Sequence, residues 1–367
     1  MSLLDVTDLR VSFPTADGVV QAVRGVTFSV DAGQTLGIVG ESGSGKTVLT
    51  QTLLRLTPGG EVTGKAVFDG TDLISMREDQ IRKIRGAEIS VIFQDPLTSL
   101  HPLYKVGWQI AEMIRNHDHS VGKAAARERA VELLARVGIP QPRQRVDEYP
   151  HQFSGGMRQR VMIAMALSLS PKMIVADEPT TALDATVQAQ ILDLLLDLQR
   201  ESGTALIMIT HDLGVVADIA DEVMVMYAGR AAERASKHDI FYEPHHPYTK
   251  GLLESIPNSS ANAGRLKPIT GQPPSLINLP SGCKFHPRCA YVMDRCLTEE
   301  PPLMAVGDDG GHRSACWLPA AAAGLTGAAE EARLQVVESN RHGEAAEVAQ
   351  AIADSVDTVD SSEGSVL

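Results

Sequence analysis

The chain has 367 residues, of which 43% are hydrophobic and 4% aromatic, and its formal net charge is −13. This length is enough to bury the core of one large domain with additions, and the apolar fraction is typical of a globular protein. The negative charge argues against a general nucleic-acid-binding protein, because contacts to phosphate backbones require clustered Lys and Arg. No apolar run approaches the roughly 20 residues of a transmembrane helix.

The first 40 residues are predicted to form β-strands. Apolar and polar residues mostly alternate in 4–11 and again in 26–30, and a turn is expected at Pro14–Gly18. Thr35–Val39 is a continuous apolar run that is typical of a buried strand. The segment Met1–Arg10 lacks the basic and apolar regions of a signal peptide, so we expect the chain to remain in the cytoplasm.

A glycine-rich loop follows the third predicted strand. Residues 40–47, Gly-Glu-Ser-Gly-Ser-Gly-Lys-Thr, match the phosphate-binding P-loop pattern between a strand and a helix. A glycine-rich turn without a ligand is the simpler alternative, but the flanking elements favour a phosphate site for ATP. Lys46 is expected to reach the β- and γ-phosphates and Thr47 to ligate Mg²⁺. The loop residues expected to surround the phosphates are Gly40, Ser42, Gly43, Ser44 and Gly45.

The middle of the chain is predicted to alternate helices with buried strands. Residues 105–145 have helical composition, with the longest helix expected over Ala124–Val137. Met173–Ala176 and Ala205–Ile209 are continuous apolar runs typical of parallel strands, and a helix over Val187–Gln199 separates them. This alternation predicts an α/β fold.

Two acidic residues follow the strand predicted at 173–176. Asp177 ends that strand, where its carboxylate could hold Mg²⁺, and Glu178 comes next, where it could polarise an attacking water. Such a pair is by itself a common strand edge. Together with the P-loop it indicates a P-loop NTPase.

A third motif narrows the class. Phe153–Met157, Phe-Ser-Gly-Gly-Met, resembles the signature sequence of ABC transporter ATPases, although Leu and Gln are commoner at its two ends. The resemblance implies a P-loop NTPase fold with a mixed sheet core and a helical subdomain at about 95–165, in an ABC nucleotide-binding domain over 1–255. Further matches, in family order, are the adenine-stacking aromatic Phe13, the Q-loop Gln94, the D-loop segment Ala182-Leu183-Asp184 and the switch histidine His211.

The resemblance also implies the roles of these residues in ATP hydrolysis. Glu178 would be the general base, and His211 would contact the γ-phosphate, although a histidine that only caps a helix is an alternative. Gln94 would touch Mg²⁺ and water, beside the metal ligands Thr47 and Asp177.

The signature residues are expected to act on a second subunit. From the sequence alone, Ser154 could simply cap a helix that begins at Gly155. The resemblance implies that Ser154, Gly155 and Gly156 complete the ATP site of a partner ATPase subunit, with two ATP molecules held between the subunits. Asp184 is expected near the nucleotide as part of the D-loop.

A narrower resemblance is to the D-type ATPase subunits of oligopeptide and dipeptide importers, nearest to the oligopeptide type, over about residues 1–318. It is carried by Phe93–Leu103, by 245–249 (His-His-Pro-Tyr-Thr) and by 271–274 (Gly-Gln-Pro-Pro). It implies a peripheral ATPase on the cytoplasmic face of the cell membrane that powers two transmembrane permease subunits, with an extracytoplasmic binding protein as an indirect partner. The second ATPase would be a related F-type subunit or a second copy.

Other functions stay open at this point. A nickel or oligosaccharide importer would need the same ATPase machinery. A soluble ABC ATPase of DNA repair or translation is argued against by the acidic charge and the absence of long heptads. A catalytically silent regulatory subunit is argued against by the presence of both Glu178 and His211.

The four cysteines of the chain all lie within 34 residues, in the pattern C-x5-C-x6-C-x19-C: Cys283, Cys289, Cys296 and Cys316. Disulfides are unexpected in a reducing cytoplasm, and four independent buried thiols are possible. The clustering favours a metal, and either zinc or an iron–sulfur cluster suits four thiolates. The importer resemblance implies a [4Fe–4S] cluster, with zinc as the alternative. His286 and His312 could substitute as ligands but are expected at the surface.

The C-terminal part is predicted in two segments. Residues 256–320 form the cysteine-containing extension of the importer resemblance. Residues 321–367 are rich in Ala, Glu, Asp and Ser, and from Glu330 onward nine acidic and two basic residues give a net charge of −7. This composition predicts a disordered acidic tail.

Overall fold

The computed structural model describes residues 2–181, 183–255, 269–307 and 310–318. Apart from these gaps, the chain folds around two β-sheets. The predicted tail at 321–367 lies outside the described residues. The strands are β1 Ser2–Thr15, β2 Gly18–Asp31, β3 Thr35–Val39, β4 Glu61–Phe68, β5 Thr71–Asp72, β6 Ile89–Ile92, β7 Met173–Asp177, β8 Ala205–Thr210, β9 Glu222–Tyr227, β10 Arg230–Ser236, β11 Met304–Ala305 and β12 Arg313–Ser314.

The helices fall between these strands and confirm the helical expectation for 105–145. No helix among the described residues is long and apolar enough to cross a membrane. Short 3₁₀ turns occur at Pro150–Gln152 and His286–Arg288. The α-helices are α1 Lys46–Leu53, α2 Glu78–Ile84, α3 Pro96–Ser99, α4 Val106–His117, α5 Lys123–Arg136, α6 Pro142–Arg145, α7 Gly155–Leu167, α8 Ala185–Ser202, α9 Leu213–Ile219, α10 Lys237–Tyr242, α11 Pro247–Glu254 and α12 Asp294–Thr298.

The larger sheet has eight strands in the order β11-β12-β10-β9-β3-β8-β7-β6. Strands β6, β7, β8, β3 and β9 are parallel to their neighbours, whereas β10, β12 and β11 add antiparallel pairs at one edge. The parallel strands are buried on both faces, which explains their continuous apolar sequences. This sheet is the mixed core that the sequence predicts.

The smaller sheet is antiparallel, in the order β2-β1-β4-β5. Its long hairpin β1–β2 turns at residues 16–17, within the predicted turn. The inner faces of both sheets and helix α1 share one apolar cluster that includes Leu4, Phe28, Leu49 and Ile207. A second cluster packs helices α4, α5, α7 and α8 against the other face of the larger sheet.

The C-terminal extension joins the larger sheet directly. Strand β12 pairs with β10 through Glu233 and Arg234, so the extension continues the sheet beyond the nucleotide-binding fold predicted for 1–255. A third apolar cluster includes Tyr227, Tyr248 and Phe285, and Cys283 and Cys289 pack against it. The cysteine-bearing segment is therefore seated on the same body as the P-loop.

Candidate functional site

The P-loop curls where the backbone leaves no room for side chains. Gly45 has a φ of 100°, and a Cβ there would lie 2.3 Å from the carbonyl oxygen of Ala22. Gly40 has a φ of 151°, and its Cβ would lie 2.3 Å from the carbonyl oxygen of Met226. Only glycine fits at these two positions, because a side chain would collide with rigid backbone. The loop is thereby pressed between β2 and β9.

Lys46 opens helix α1 and is buried among the loop residues. Its Nζ donates hydrogen bonds to the carbonyl oxygens of Gly40 and Glu41 at 2.7 and 3.1 Å. Burial lowers the pKa of the Lys46 ammonium, against the opposing effect of Glu178 and Asp177. Among the described residues, Ser44 Oγ is buried without a hydrogen-bond partner. A buried cation and an unsatisfied hydroxyl in one loop suit an anionic ligand such as a phosphate.

Asp177 and Thr47 lie together at the end of β7. Thr47 Oγ1 donates a hydrogen bond to Asp177 Oδ1 at 3.1 Å. Burial raises the pKa of the Asp177 carboxyl, and the charge of Glu178 adds to this effect, while Thr47 and Lys46 oppose it. A hydroxyl and a carboxylate at this position are oxygen donors of the kind that Mg²⁺ prefers, so the predicted metal ligands fit that ion chemically.

Glu178 is the meeting point of the residues expected to act in hydrolysis. Gln94 Nε2 donates to Glu178 Oε2 at 3.0 Å, and His211 Nδ1 lies 3.4 Å from the same oxygen. Thr181 Oγ1 also donates to it, at 3.0 Å. Glu178 has a φ of 46°, a left-handed conformation that is uncommon for a residue with a side chain. Its backbone N–H donates to the Ile209 carbonyl of β8, which holds it there.

These groups face one open cleft with a volume of about 850 Å³. The cleft unites Phe13, the P-loop, Gln94, Glu178 and His211, which are far apart in the sequence. Pro273 and Leu276 of the extension also line it, and no motif in the sequence predicts this. The complete lining is Phe13, Val20, Ala22, Glu41, Ser42, Gly43, Ser44, Gly45, Lys46, Thr47, Val48, Gln94, Glu178, His211, Pro273 and Leu276.

The signature residues lie outside the lining of this cleft. Ser154 caps α7 as the sequence suggests, and its Oγ accepts a hydrogen bond from the Met157 N–H at 3.3 Å. A Cβ on Gly156 would lie 2.7 Å from Val187 Cγ1, so the start of α7 packs closely on α8. Asp184 caps α8 through the Val187 N–H at 3.0 Å. Gly155 and the D-loop residue Asp184 thus face a surface apart from the chain's own cleft lining, and the preceding Ala182 lies outside the described residues.

The four cysteines are neighbours, and none forms a disulfide. The Cys283 N–H donates to the Cys296 carbonyl at 2.8 Å. Burial raises the pKa of the Cys316 thiol to about 11, and the other three thiols are close enough to add to this effect. Burial likewise raises the pKa of Cys289.

The expected metal centre is nevertheless not supported by this geometry. Across the parts of the chain that the structure describes, no group of three or more His, Cys, Asp or Glu side chains is arranged to hold a metal ion. The sulfur atoms of Cys289 and Cys316 instead accept backbone N–H groups, from Tyr291 at 3.3 Å and Leu318 at 3.4 Å. The four thiols therefore match a metal site in chemistry and neighbourhood, but not in arrangement.

The expectation that His312 lies at the surface is wrong. His312 is buried, and its Nε2 lies 2.7 Å from Oε1 of the fully buried Glu233. The backbone N–H groups of His245 and His246 donate to the same carboxylate at 2.6 and 3.1 Å. The histidines of the 245–249 motif thus help to fasten the extension to β10. His286 is half-buried, with its Nδ1 2.8 Å from the Cys283 carbonyl oxygen.

Comparison with family models gives two matches. A model described as "ABC transporter" matches residues 23–181. A model described as "Oligopeptide/dipeptide transporter, C-terminal region" matches residues 232–296. The first match contains the P-loop, the signature and Glu178, and the second contains three of the four cysteines.

Similar proteins include the oligopeptide transport ATP-binding protein OppD of Bacillus subtilis, 52% identical over 320 residues that cover 86% of this chain and 88% of that protein. OppD of Escherichia coli is 51% identical over 319 residues, covering 87% of this chain and 94% of that protein. The dipeptide transport ATP-binding protein DppD of Escherichia coli is 48% identical over 321 residues, covering 87% and 97%.

Among solved structures, the fold resembles the dimeric ATP-binding cassette MJ0796 in a post-hydrolysis state bound to ADP and Pi. The TM-score is 0.58 at 26% sequence identity, covering 64% of this chain and 98% of that one. This match confirms the expected cassette fold.

The raised pKa of Asp177 gives a test of the cation site. The pKa of Asp177 is higher in the folded chain than in the unfolded chain. The free energy of unfolding therefore falls as the pH rises from the unfolded-state pKa to the folded-state pKa, and it stays lower above that pH. We expect Asp177→Asn to raise Tm by about 2–4 °C at neutral pH, and this gain to vanish at acid pH, where the carboxyl is protonated in both states.

The measurement is a set of thermal melts from acid to neutral pH, without nucleotide and again with Mg²⁺ and ATP. The variant should lose the additional stabilisation that Mg²⁺ and ATP give the wild-type chain. An Asp177→Asn variant less stable than the wild type at neutral pH would contradict the raised pKa of the Asp177 carboxyl. Asp212→Asn, at an N-cap outside the cleft, is the control.

Proposed function

The chain belongs to the ATP-binding proteins of oligopeptide/dipeptide ABC transporters, and from this we propose that it hydrolyses ATP to power peptide import through two membrane permease subunits. The observation that carries the proposal is the cleft that the P-loop, with Thr47, and Glu178 line together, with Asp177 hydrogen-bonded to Thr47. The similarity to OppD and DppD supports peptides as the cargo. Its place would be the cytoplasmic face of the membrane.

The P-loop would bind the phosphates of ATP. Backbone N–H groups at the start of α1 would donate hydrogen bonds to the phosphate oxygens. The Lys46 ammonium would also contact the phosphates, in place of its present hydrogen bonds to the Gly40 and Glu41 carbonyl oxygens. Phe13 lines the same cleft, and its ring would stack on the base. Mg²⁺, held between Thr47 and Asp177, would supply charge neutralisation at the β- and γ-phosphates.

Glu178 would be the general base. Its carboxylate lies one residue beyond Asp177 and would accept a proton from water attacking the γ-phosphate. Gln94, Thr181 and His211 all contact or approach its Oε2 and would hold the carboxylate and the water in line. Glu178 lines the cleft, and its backbone there is left-handed.

A second ATPase subunit would complete each site. The N-terminus of α7, with Ser154, Gly155 and Gly156, is remote from the lining of its own cleft and offers backbone N–H groups to an anion. The two-fold arrangement of ABC cassettes would place this end, with Asp184, against the ATP of the partner. Either a related subunit or a second copy of this chain would fill that place.

Replacing Glu178 with Gln tests the assigned base. We expect ATP binding to persist while kcat falls about 10²–10⁴-fold, because Gln keeps the hydrogen bonds but cannot accept the proton. Steady-state ATP turnover and nucleotide binding measure these two effects. In size-exclusion chromatography, ATP should hold the variant in a dimer, alone or with its partner ATPase. Undiminished hydrolysis would refute the role.

Ser154→Arg in the Glu178→Gln background provides the matched control. The bulky cation at the start of α7 should abolish the ATP-dependent dimer, whereas nucleotide binding to the single chain should stay unchanged. If ATP affinity of the isolated chain collapsed as well, the assignment of Ser154 to the partner's site would be wrong.

An exposed apolar surface on the segment that follows Gln94 in the sequence suits the permease subunits. Leu103, Tyr104 and Trp108 are exposed just after the segment that carries Gln94, and the rings of Tyr104 and Trp108 stack with centroids 4.2 Å apart. Exposed aromatic clusters mark contact surfaces, because aromatic side chains dominate interface energies. We place the cytoplasmic loops of the permease here, where they would sense the state of Gln94.

Trp108→Glu tests this docking surface. Assembly with co-expressed permease subunits should weaken at least about tenfold, because a charge would be buried at the contact. ATP hydrolysis by the isolated chain should remain. Leu297→Glu, which changes an equally exposed apolar residue of the extension, is the control. Unchanged co-purification of the Trp108 variant with the permease would exclude this surface.

The cysteine cluster is proposed to bind a thiolate-ligated metal, an iron–sulfur cluster in preference to zinc. Support comes from the proximity of four disulfide-free thiols and from the family resemblance. Burial holds the thiols protonated, so binding would release protons and draw the sulfur atoms away from their backbone partners.

Anaerobic purification with iron, sulfide and zinc analysis tests this proposal. A [4Fe–4S] cluster predicts a broad absorbance near about 400 nm and about four irons per chain. Cys316→Ser should lower the iron content, whereas Ser314→Ala next to it should not. Zinc at about one per chain would support the alternative, and a metal-free chain would refute both.

A further inference from the structure

The C-terminal extension reaches back to the P-loop through a buried arginine. Arg288 donates two parallel hydrogen bonds to the carboxylate of Glu41, the second residue of the loop, from Nη1 at 2.6 Å and Nη2 at 2.9 Å. The Arg288 side chain is only 4% exposed, and that of Glu41 is 27% exposed. A forked, largely buried pair of this kind fixes position as well as charge.

Tyr248 of helix α11, which precedes the extension, holds the backbone of the same residue. The Glu41 N–H donates to the hydroxyl of Tyr248 at 2.9 Å. Tyr248 is fully buried, and burial raises the pKa of its phenol, so the hydroxyl stays neutral. Its ring packs against Tyr227 and Phe285 with centroids 4.6 and 5.4 Å away. Both the backbone and the side chain of Glu41 are therefore tied to residues beyond β9.

Arg288 itself is held rigidly. Its Nε donates to the Thr270 carbonyl at 3.0 Å, and its guanidinium lies 5.8 and 5.9 Å from the ring centres of Tyr227 and Phe285. It ends the 3₁₀ turn His286–Arg288. A guanidinium that is fixed in advance loses little freedom when it pairs, so the contact with Glu41 is pre-organised.

The charge of Glu41 makes this contact matter for nucleotide binding. Glu41 lines the same cleft as Lys46, and an unpaired carboxylate there would repel the phosphates of a nucleotide. Pairing with Arg288 neutralises that charge. The extension touches the cleft a second time, where Leu276 lines it and accepts a hydrogen bond from the Gln21 N–H of β2 at 3.0 Å.

We propose that Arg288 and Tyr248 are positioning residues of the nucleotide site, which hold Glu41 so that the P-loop keeps its phosphate-binding shape and its carboxylate stays neutralised. The proposal rests on the ATPase function proposed above and assigns part of that site to the extension. Neither residue contacts Gln94, Glu178 or His211, so the effect is on nucleotide affinity and not on the hydrolytic step.

The test compares ATP hydrolysis and fluorescent-nucleotide binding by the full chain and five variants. Arg288→Ala should raise KM for ATP and Kd for the nucleotide about tenfold, because a charge-assisted bidentate contact is lost and a carboxylate is left unpaired. At saturating ATP, kcat should stay within about twofold. Arg288→Lys, which keeps the charge and loses the fork, should give an intermediate KM.

Tyr248→Phe keeps the buried ring and removes only the hydroxyl, so it preserves the fold if the arginine variant does not. It should raise KM severalfold. Combined with Arg288→Ala, it should give less than the product of the two effects, since both act through Glu41. Arg295→Ala is the matched control, because Arg295 pairs with Glu299 and stacks on Trp317 in the same extension without touching the P-loop.

The outcomes separate the possible explanations. A merely destabilising change would reduce the amount of active chain, and so lower apparent kcat without raising KM. Folded Arg288→Ala and Tyr248→Phe variants with wild-type KM, or an equal rise of KM in Arg295→Ala, would overturn the positioning role. A wild-type chain that neither binds nor hydrolyses ATP would instead refute the proposed function.

Discussion

The site depends on the close approach of the P-loop backbone to its two neighbouring strands. A Cβ on Gly40 would lie 2.3 Å from the carbonyl oxygen of Met226, and a Cβ on Gly45 would lie 2.3 Å from that of Ala22. Both distances are well inside van der Waals contact. The close contact of the loop with these strands fixes the start of α1, where Lys46 is buried. The loop therefore has no room to move toward these strands, and its shape is set by the fold.

The same burial leaves opposed charges in an environment that disfavours them. Burial lowers the pKa of Lys46 and raises that of Asp177, so the folded chain holds both charges at a cost. Glu178 lies beside them with a left-handed backbone. A triphosphate and a divalent cation would supply the missing counter-charges, so binding would relieve this cost and stabilise the folded chain by mass action. The buried charges that would bind the ligand thus lower the stability of the ligand-free chain.

The sequence predicts those parts of the structure that depend on local pattern. The alternation of apolar and polar residues predicted β1 and β2, and a continuous apolar run predicted β3. The fixed spacing of glycines before Lys46 predicted the P-loop. Ser154 was predicted as a cap because capping is a local hydrogen bond. The hydrogen-bond partners of Thr181, Arg288 and Tyr248 were not predicted, since tertiary contacts set them. His312 failed as a surface residue for the same reason: the buried Glu233 is 79 positions away.

The extension is best understood as part of the nucleotide site instead of an appendage. It adds β12 to the sheet, brings His312 against the buried Glu233, and lines the cleft with Leu276. Its Arg288 lies between Cys283 and Cys289 in sequence, on the turn that those thiols flank. The Arg288–Glu41 hydrogen bonds thus connect the turn that precedes Cys289 to the P-loop, beside the hydrogen bond from the Glu41 N–H to Tyr248.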